Sequence, residues 1–493
     1  MIGGKLKLID CLVKRIINPY SVIMKYLLRA IVAVVLIISF TRCTKTKSAI
    51  ENPVSAATPT STAPTPNTDE VNENADTTNL ALYTVAACSY IVQPSQWVVD
   101  GAKFAPGSVI CIPAGTRGAL LFKNLKGTST NPIIIMNKGG RVTFTAAANA
   151  SYTFKTQNCS NFKVLGNGAT GISFGFRVSG GNIGMTMDDL STDFEISNVE
   201  VVNSGFAGIM AKTDPTCDVK TQRGQFTMKN IKVHNNYIHK TGGEGIYIGN
   251  SFYADGRTLA CGKVYPHNIV NLKVYSNRTD STGCEGIQVG SAVTSCLVYN
   301  NTVKSPGRSP FASGQNNGIQ IGEGTGGKCY NNLVKNAPGD GIIVLGLGDN
   351  LVYNNYIINA GVHGIFADSR YTPGPNFKFV NNTIIAPAVN GIKLNSESIP
   401  MNTVINNVII KPGSGIAIQK KSNSVKLTAS NNYVGTDINA CKFVNYTGDD
   451  FHLQASSPFI NKGASVSVYG ISFDYYRKDR PAASLIDIGA TEY

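Results

Sequence analysis

The chain is short of charge, of tryptophan and of long apolar runs, and each shortage removes a class of protein. Asp, Glu, Lys and Arg supply 15% of the 493 residues, and Trp97 is the one tryptophan. No dense Lys/Arg stretch with interleaved aromatics occurs, so nucleic acid is not an expected partner. There is no Cys/His cluster at metal-ligand spacing, no phosphate-cradling glycine loop opening a helix and no nucleophile elbow. The apolar run at 30–40 is too short to span a bilayer, and the apolar segments beyond it are far too short for helices. What the chain has in quantity is glycine, with 50 residues, which suits many tight turns between short strands.

Those glycines are ordered. Between 206 and 432 the phrase Gly-Ile-x-apolar returns as GIMA at Gly208, GIYI at Gly245, GIQV at Gly286 and GIQI at Gly318. It continues as GIIV at Gly341, GIFA at Gly364, GIKL at Gly391 and GIAI at Gly415. Asn pairs alternate with it: 235–236, 300–301, 331–332, 354–355, 381–382, 406–407 and 431–432. The tightest returns, Gly318 to Gly341 and Gly341 to Gly364, are 23 residues. A period in the low twenties with strand-type alternation predicts a stacked solenoid, an all-β single-stranded right-handed parallel β-helix. The Asn pairs are expected at a turn, their amides bonding along the axis in a structural role.

The organisation around this array is read from composition. Residues 1–43 form a leader whose start is best placed at Met24; Lys25 and Arg29 precede the apolar run, and Cys43 closes it. The ending resembles a bacterial lipoprotein signal in which Cys43 is lipidated, with Arg42 where that pattern has a small residue. Residues 44–81, rich in Thr, Pro and Ser, are expected as a disordered tether, and 82–493 as the β-helix domain. Trp97 is expected as a packed residue of an N-terminal cap, and the segment after 432 as an irregular C-terminal end. The expected location is outside the cell, anchored by lipid to the outer membrane or cell surface, as a monomer. The formal charge is +14, of which about +8 remains without the leader's seven Lys/Arg and one Asp, a surplus that suits an anionic partner. Of the nine cysteines beyond the leader, Cys217 and Cys261 lie in neighbouring insertions and are the expected disulfide; Cys296 and Cys329 could also meet.

Two columns carry the candidate chemistry. The residues before each Gly-Ile are Ala207, Glu244, Glu285, Asn317, Asp340, His363, Asn390 and Ser414. Those after each Ile are Met210, Tyr247, Gln288, Gln320, Ile343, Phe366, Lys393 and Ala417. Stacked rungs would bring them to one outward face, with Glu244 and Tyr247 facing out or lying at the adjoining turn and Glu323 at its border. The insertions 212–225, 250–267 and 368–377 would wall it with Phe252, Tyr253, Arg257, Arg370 and Tyr371. Tyr247, His363, Arg370 and Lys393 are candidates for the base or charge neutraliser of a β-elimination, with Asp340 a further acid/base candidate. Glu244, Glu285 and Asp340 could hold Ca²⁺, the one cofactor expected. Gln288, Asn317, Gln320, Phe366 and Tyr371 would contact substrate. Paired carboxylates would equally serve hydrolysis, and the same face could bind a glycan without cleaving it.

The rung phrases, with DDFHLQASSPFINKGA and RKDRPAASLIDIGATEY near the C-terminus, resemble the exported bacterial right-handed β-helix proteins of pectate-lyase-like type. Many of these are polysaccharide lyases and hydrolases. The resemblance implies a carbohydrate-active protein acting on an anionic polysaccharide. The run Asp340, His363, Lys393 is also loosely similar to polygalacturonases, which carry Asp-Asp, Gly-His-Gly and Arg-Ile-Lys. Here the phrases read GDG, VHG and GIK, and Asn317 stands where another Asp belongs, so that activity is not assigned.

Overall fold

The computed structural model describes residues 87–493, except 348, 370, 371 and 482–484. Cys43, the leader and the tether therefore lie outside the described residues, as do Arg370 and Tyr371 of the expected wall and site.

One coil of the array consists of three strands, Thr227–His234, Tyr237–His239 and Ile246–Ile248. The next repeats it as Asn268–Tyr275, Arg278–Asp280 and Ile287–Val289, and the two pair in parallel through Ile231↔Leu272, Tyr237↔Arg278 and Ile246↔Ile287. Repetition builds a 12-stranded parallel sheet from the eight Gly-Ile strands and four strands that precede them, and a 23-stranded sheet from the other strands of the coils. The fold is a right-handed parallel β-helix, whose parallel crossovers have the usual hand.

The repeated phrase has a packing cause. A Cβ on Gly341 would sit 2.2 Å from Ile357 Cγ2, so only glycine lets the second strand of the next coil, Tyr356–Ile358, close against this corner. The Ile that follows points inward, as do Ile246, Ile248, Ile287 and Val289 in one continuous core. The Asn pairs divide their work. The first member, as in Asn235, Asn300 and Asn331, takes the left-handed conformation that Asn tolerates. The second turns its amide along the axis: Asn301 accepts from the Asn277 backbone N–H at 3.0 Å and its own N–H reaches Asn332 Oδ1 at 3.0 Å. This ladder runs through Asn355, Asn382 and Asn407 to Asn432.

Beyond 435 the period ends and the chain packs back along the rod. Arg480, buried, donates to Asn354 Oδ1 and Gly489 O and pairs with Glu492. Val466, Ile471 and Ile486 cover a stack of Tyr275, Tyr299, Tyr330 and Tyr353, whose rings lie 4.7–5.0 Å apart. At the other end, Cys88 and Cys111 form a disulfide that the sequence did not suggest. Trp97, expected to be packed, is 70% exposed. Trp97 precedes the strand Val98–Asp100, in which Val99 takes the inward position.

Candidate functional site

Backbone hydrogen bonds set the first column directly. The N–H of Gly208 donates to Glu244 O, Gly245 to Glu285 O, Gly318 to Asp340 O, Gly341 to His363 O and Gly364 to Asn390 O. The second column follows the sheet register Met210↔Tyr247↔Gln288↔Gln320↔Ile343↔Phe366↔Lys393. The last rung departs from expectation: Lys393 faces Gln419, not Ala417, and Ile416 takes the place assigned to Ser414. The connection between Ile410 and Ile418 holds one residue more than that between Ile385 and Ile392. The Gly-Ile phrase, with Gly415 at φ +74°, comes one residue early, so the strand begins two residues beyond the phrase's expected place.

The columns are continuous, but they do not form one open face. Their early rungs are covered. The loop 305–316 folds back over residues 282–284 through three backbone bonds, from Gly307, Arg308 and Ser309 to Cys284, Thr282 and Gly283. Its Phe311 ring lies 5.7 Å from Phe206, which in turn meets Tyr247. Glu244 and Glu285, expected to face outward, are consequently 2% and 0% exposed. Tyr247 is buried too, its hydroxyl 2.8 Å from Ser251 Oγ; burial pushes its pKa up, so it is a wall residue and not a ready base. Gln288 donates to the same Ser251 hydroxyl, at 3.2 Å. Asn317 is buried and spans two rungs, donating to Glu285 Oε1 at 2.9 Å and accepting from the Asp340 N–H at 3.0 Å.

The later rungs open. Gln320, Ile343, Phe366 and Lys393 are half-buried, and Asp340 is 9% exposed. Asp340 Oδ1 accepts from the His363 backbone N–H at 2.9 Å, and burial pushes this carboxyl up to about 6. His363 Nδ1 accepts from the Asn390 backbone N–H at 3.3 Å, and the Asn390 amide lies at the same distance. A nitrogen that accepts leaves the proton on Nε2, so the neutral ring offers an N–H donor to solvent, not a lone pair. Desolvation first, and then the charge of Lys393, bring its pKa down to about 4, so the ring is neutral at ordinary pH. This tautomer makes His363 a donor where a base was expected. The Phe366 ring lies nearly parallel to it at 6.0 Å, and Lys393 Nζ bonds Gln419 Oε1 at 2.9 Å. Gln419 went unnoticed in the sequence because the two-residue shift hid its register.

On the far edge the expected wall exists among the described residues. Cys217 and Cys261 are bonded, tying 212–225 to 250–267. Arg223 stacks on Tyr253 at 3.7 Å and donates to its carbonyl. The Tyr253 ring occupies the space above Gly324, which at φ +69° could carry no side chain there. Arg257 lies over Phe252 at 5.3 Å. Glu323 accepts from the Ala254 N–H at 3.1 Å, so it anchors the loop instead of entering the groove. Among the described residues, the one group of three possible metal ligands is Glu244, Cys284 and Glu285; Asp340 does not join it.

Coils, sheets and corner glycines together define a right-handed parallel β-helix protein. The family described as "Right handed beta helix region" matches residues 260–434. No curated protein matches in sequence. Among solved structures, the chain is similar to pectate lyase Pel9A, with 14% identity over 82% of this chain and 97% of that one, at a TM-score of 0.44. It is similar to an alginate lyase from Paenibacillus sp. str. FPU-7, with 15% identity over 70% and 100% and a TM-score of 0.38. It is also similar to XylC in complex with xylose, with 10% identity over 80% and 94% and a TM-score of 0.46. Identities this low assign neither substrate nor reaction.

Proposed function

We propose that the protein is an exported polysaccharide-acting β-helix, held at the cell surface through Cys43, that cleaves an anionic polysaccharide by β-elimination. The observation that carries this reading is the open end of the columns, where Asp340, His363, Phe366 and Lys393 lie on neighbouring rungs. Each group has a role that its environment favours. Lys393 meets the uronate carboxylate and offsets the charge that builds up when the adjacent C–H proton leaves. Asp340 changes protonation at about pH 6 and takes that proton in its ionised form. As the C=C bond forms, the C–O bond to the glycosidic oxygen breaks. The Nε2–H of His363 donates a hydrogen bond to that oxygen, which leaves with the electron pair and takes its proton from water. Phe366 offers the face of its ring to the sugar.

Hydrolysis is the weaker reading, because it needs a second accessible carboxyl group. The nearest in the column, Glu285, is buried with one oxygen held by Asn317.

The test is incubation of the mature chain with a panel of uronate polysaccharides, following the ultraviolet absorbance of newly unsaturated sugar ends. Growth of that absorbance on at least one substrate is expected. Lys393→Met should lose about 10–100-fold in kcat/KM, the value of one hydrogen-bonded charge. Reducing-end release without unsaturation would replace elimination with hydrolysis. Retention on a glycan column without any cleavage would make the protein a binder.

A further inference from the structure

Under the loop 305–316 lies a group of side chains that the proposed reaction does not use. Glu244 and Glu285 stand on successive rungs, and Cys284 precedes Glu285 at the same corner. One carboxylate oxygen of each Glu and the Cys284 Sγ all lie within 4.8 Å of one another. All three residues are buried, at 2%, 0% and 0% exposure. The Oε2 atoms of both glutamates lack a hydrogen-bond partner. Glu285 uses its other oxygen on Asn317, and neither Glu joins an ion pair among the described residues. The nearest cation, Lys212, is committed to Asp214 at 3.0 Å and lies over the Tyr247 ring at 5.0 Å. Two adjacent buried carboxylates with orphaned oxygens are costly unless something positive sits between them.

We propose that Glu244, Cys284 and Glu285 are the protein ligands of a buried divalent cation, Zn²⁺ in preference to Ca²⁺. The donor set decides the metal. Calcium takes six to eight oxygen ligands and gains nothing from a thiol, whereas zinc binds thiolate and carboxylate together in a four-coordinate shell. Three protein ligands leave one zinc position for a water. On binding, the Cys284 S–H bond breaks, its proton passes to solvent and the sulfur pair goes to the metal, with no change of oxidation state. Two carboxylates and a thiolate around Zn²⁺ leave one net negative charge. The ion would fasten two successive coils beneath the overlying loop, so the role is structural. The inference is independent of the reaction proposed at Asp340, His363 and Lys393.

The experiment uses the folded mature chain, stripped with a chelator and then equilibrated with Zn²⁺, Ca²⁺ or Co²⁺ before desalting. The expected result is retention of about one Zn²⁺ per chain by elemental analysis, with a raised Tm and no retained Ca²⁺. Glu285→Gln and Glu244→Gln, checked for folding by circular dichroism, should each retain no zinc. In case both variants unfold, the wild-type protein loaded with Co²⁺ gives an independent reading. A near-ultraviolet thiolate-to-cobalt band, absent in Cys284→Ser and kept in Cys296→Ser, supports ligation by Cys284 among the five free cysteines of the described residues. Absence of bound zinc with an unchanged Tm overturns the site. Retention of calcium instead, equal zinc binding by the glutamine variants, or a cobalt complex without the thiolate band overturns it as well.

Discussion

Asp340→Asn is expected to cut turnover on a uronate polysaccharide by about 10²–10⁴-fold, the range for loss of a general acid or base, while the chain stays folded. The fold should survive because Asn317, one rung earlier, already performs the structural task with an amide: its Oδ1 accepts the next backbone N–H as Asp340 Oδ1 does. The same substitution has a second readout of opposite sign. Burial raises the folded carboxyl from 3.8 to about 6, so the folded state holds its proton more tightly than the unfolded chain does. Stability contributed by this group is therefore full below about pH 4 and falls as pH rises to about 6; at the shift cited the ionised penalty is roughly 2–3 kcal/mol. The Asn variant lacks the penalty. It should match the wild type near pH 4 and unfold at a higher temperature near pH 8, where it is catalytically impaired. The wild-type rate should climb through about pH 6 and then level off, as Asp340 loses its proton and His363 is already neutral. A variant that loses activity and stability together at pH 8, or a wild-type rate flat across pH 5–7, would remove Asp340 from the reaction.

The coil was legible because its causes are local. A Gly that must clear an Ile from a neighbouring coil, an Ile that must face inward and an Asn that must close the turn recur wherever the chain passes that corner. Each therefore prints its period on the sequence. The sharing of one column by Glu244, Glu285, Asp340 and His363 follows from that period alone. Exposure does not follow from it. The expectation that insertions after the Gly-Ile strand build the wall neglected the insertion before it. Yet Gly286 and Gly318 are 32 residues apart, and Pro306-Gly307 and Ser309-Pro310 mark the surplus as a loop. That loop lies on the preceding coil and converts two outward glutamates into buried ones. The tautomer of His363 was equally out of reach, since it depends on a backbone N–H supplied 27 residues later. Cys88–Cys111 joins the first coil to the strand above it, outside the region where the repeat fixes register.

Asn355→Ala should be the most damaging single change to the rod, at a cost of about 4 kcal/mol, because it strands several buried polar groups together. Asn355 Oδ1 accepts from both the backbone N–H and the amide of Asn332, at 3.0 and 2.9 Å. Its own amide donates to Cys329 O and to Asn382 Oδ1, both at 2.9 Å. Truncation leaves the Asn332 backbone N–H without a partner and removes one donor each from the Cys329 carbonyl and Asn382 Oδ1, in a place that water does not reach. A charge cannot replace the amide. In Asn355→Asp one oxygen still serves Asn332, but the other meets the Cys329 carbonyl and Asn382 Oδ1, acceptor against acceptor, and a carboxylate is buried without a cation. Asp should therefore be at least as harmful as Ala, despite its near-identical shape. Thermal unfolding by circular dichroism gives the loss, and hydrogen exchange locates it. Because each coil touches mainly its neighbours, protection should fall most in the coils of Asn332, Asn355 and Asn382 and least near Phe144 and Phe176. A loss spread evenly from one end of the rod to the other, or an Asp variant as stable as the parent, would mean that packing of the inward Ile and Val side chains, and not the amide ladder, fixes this turn.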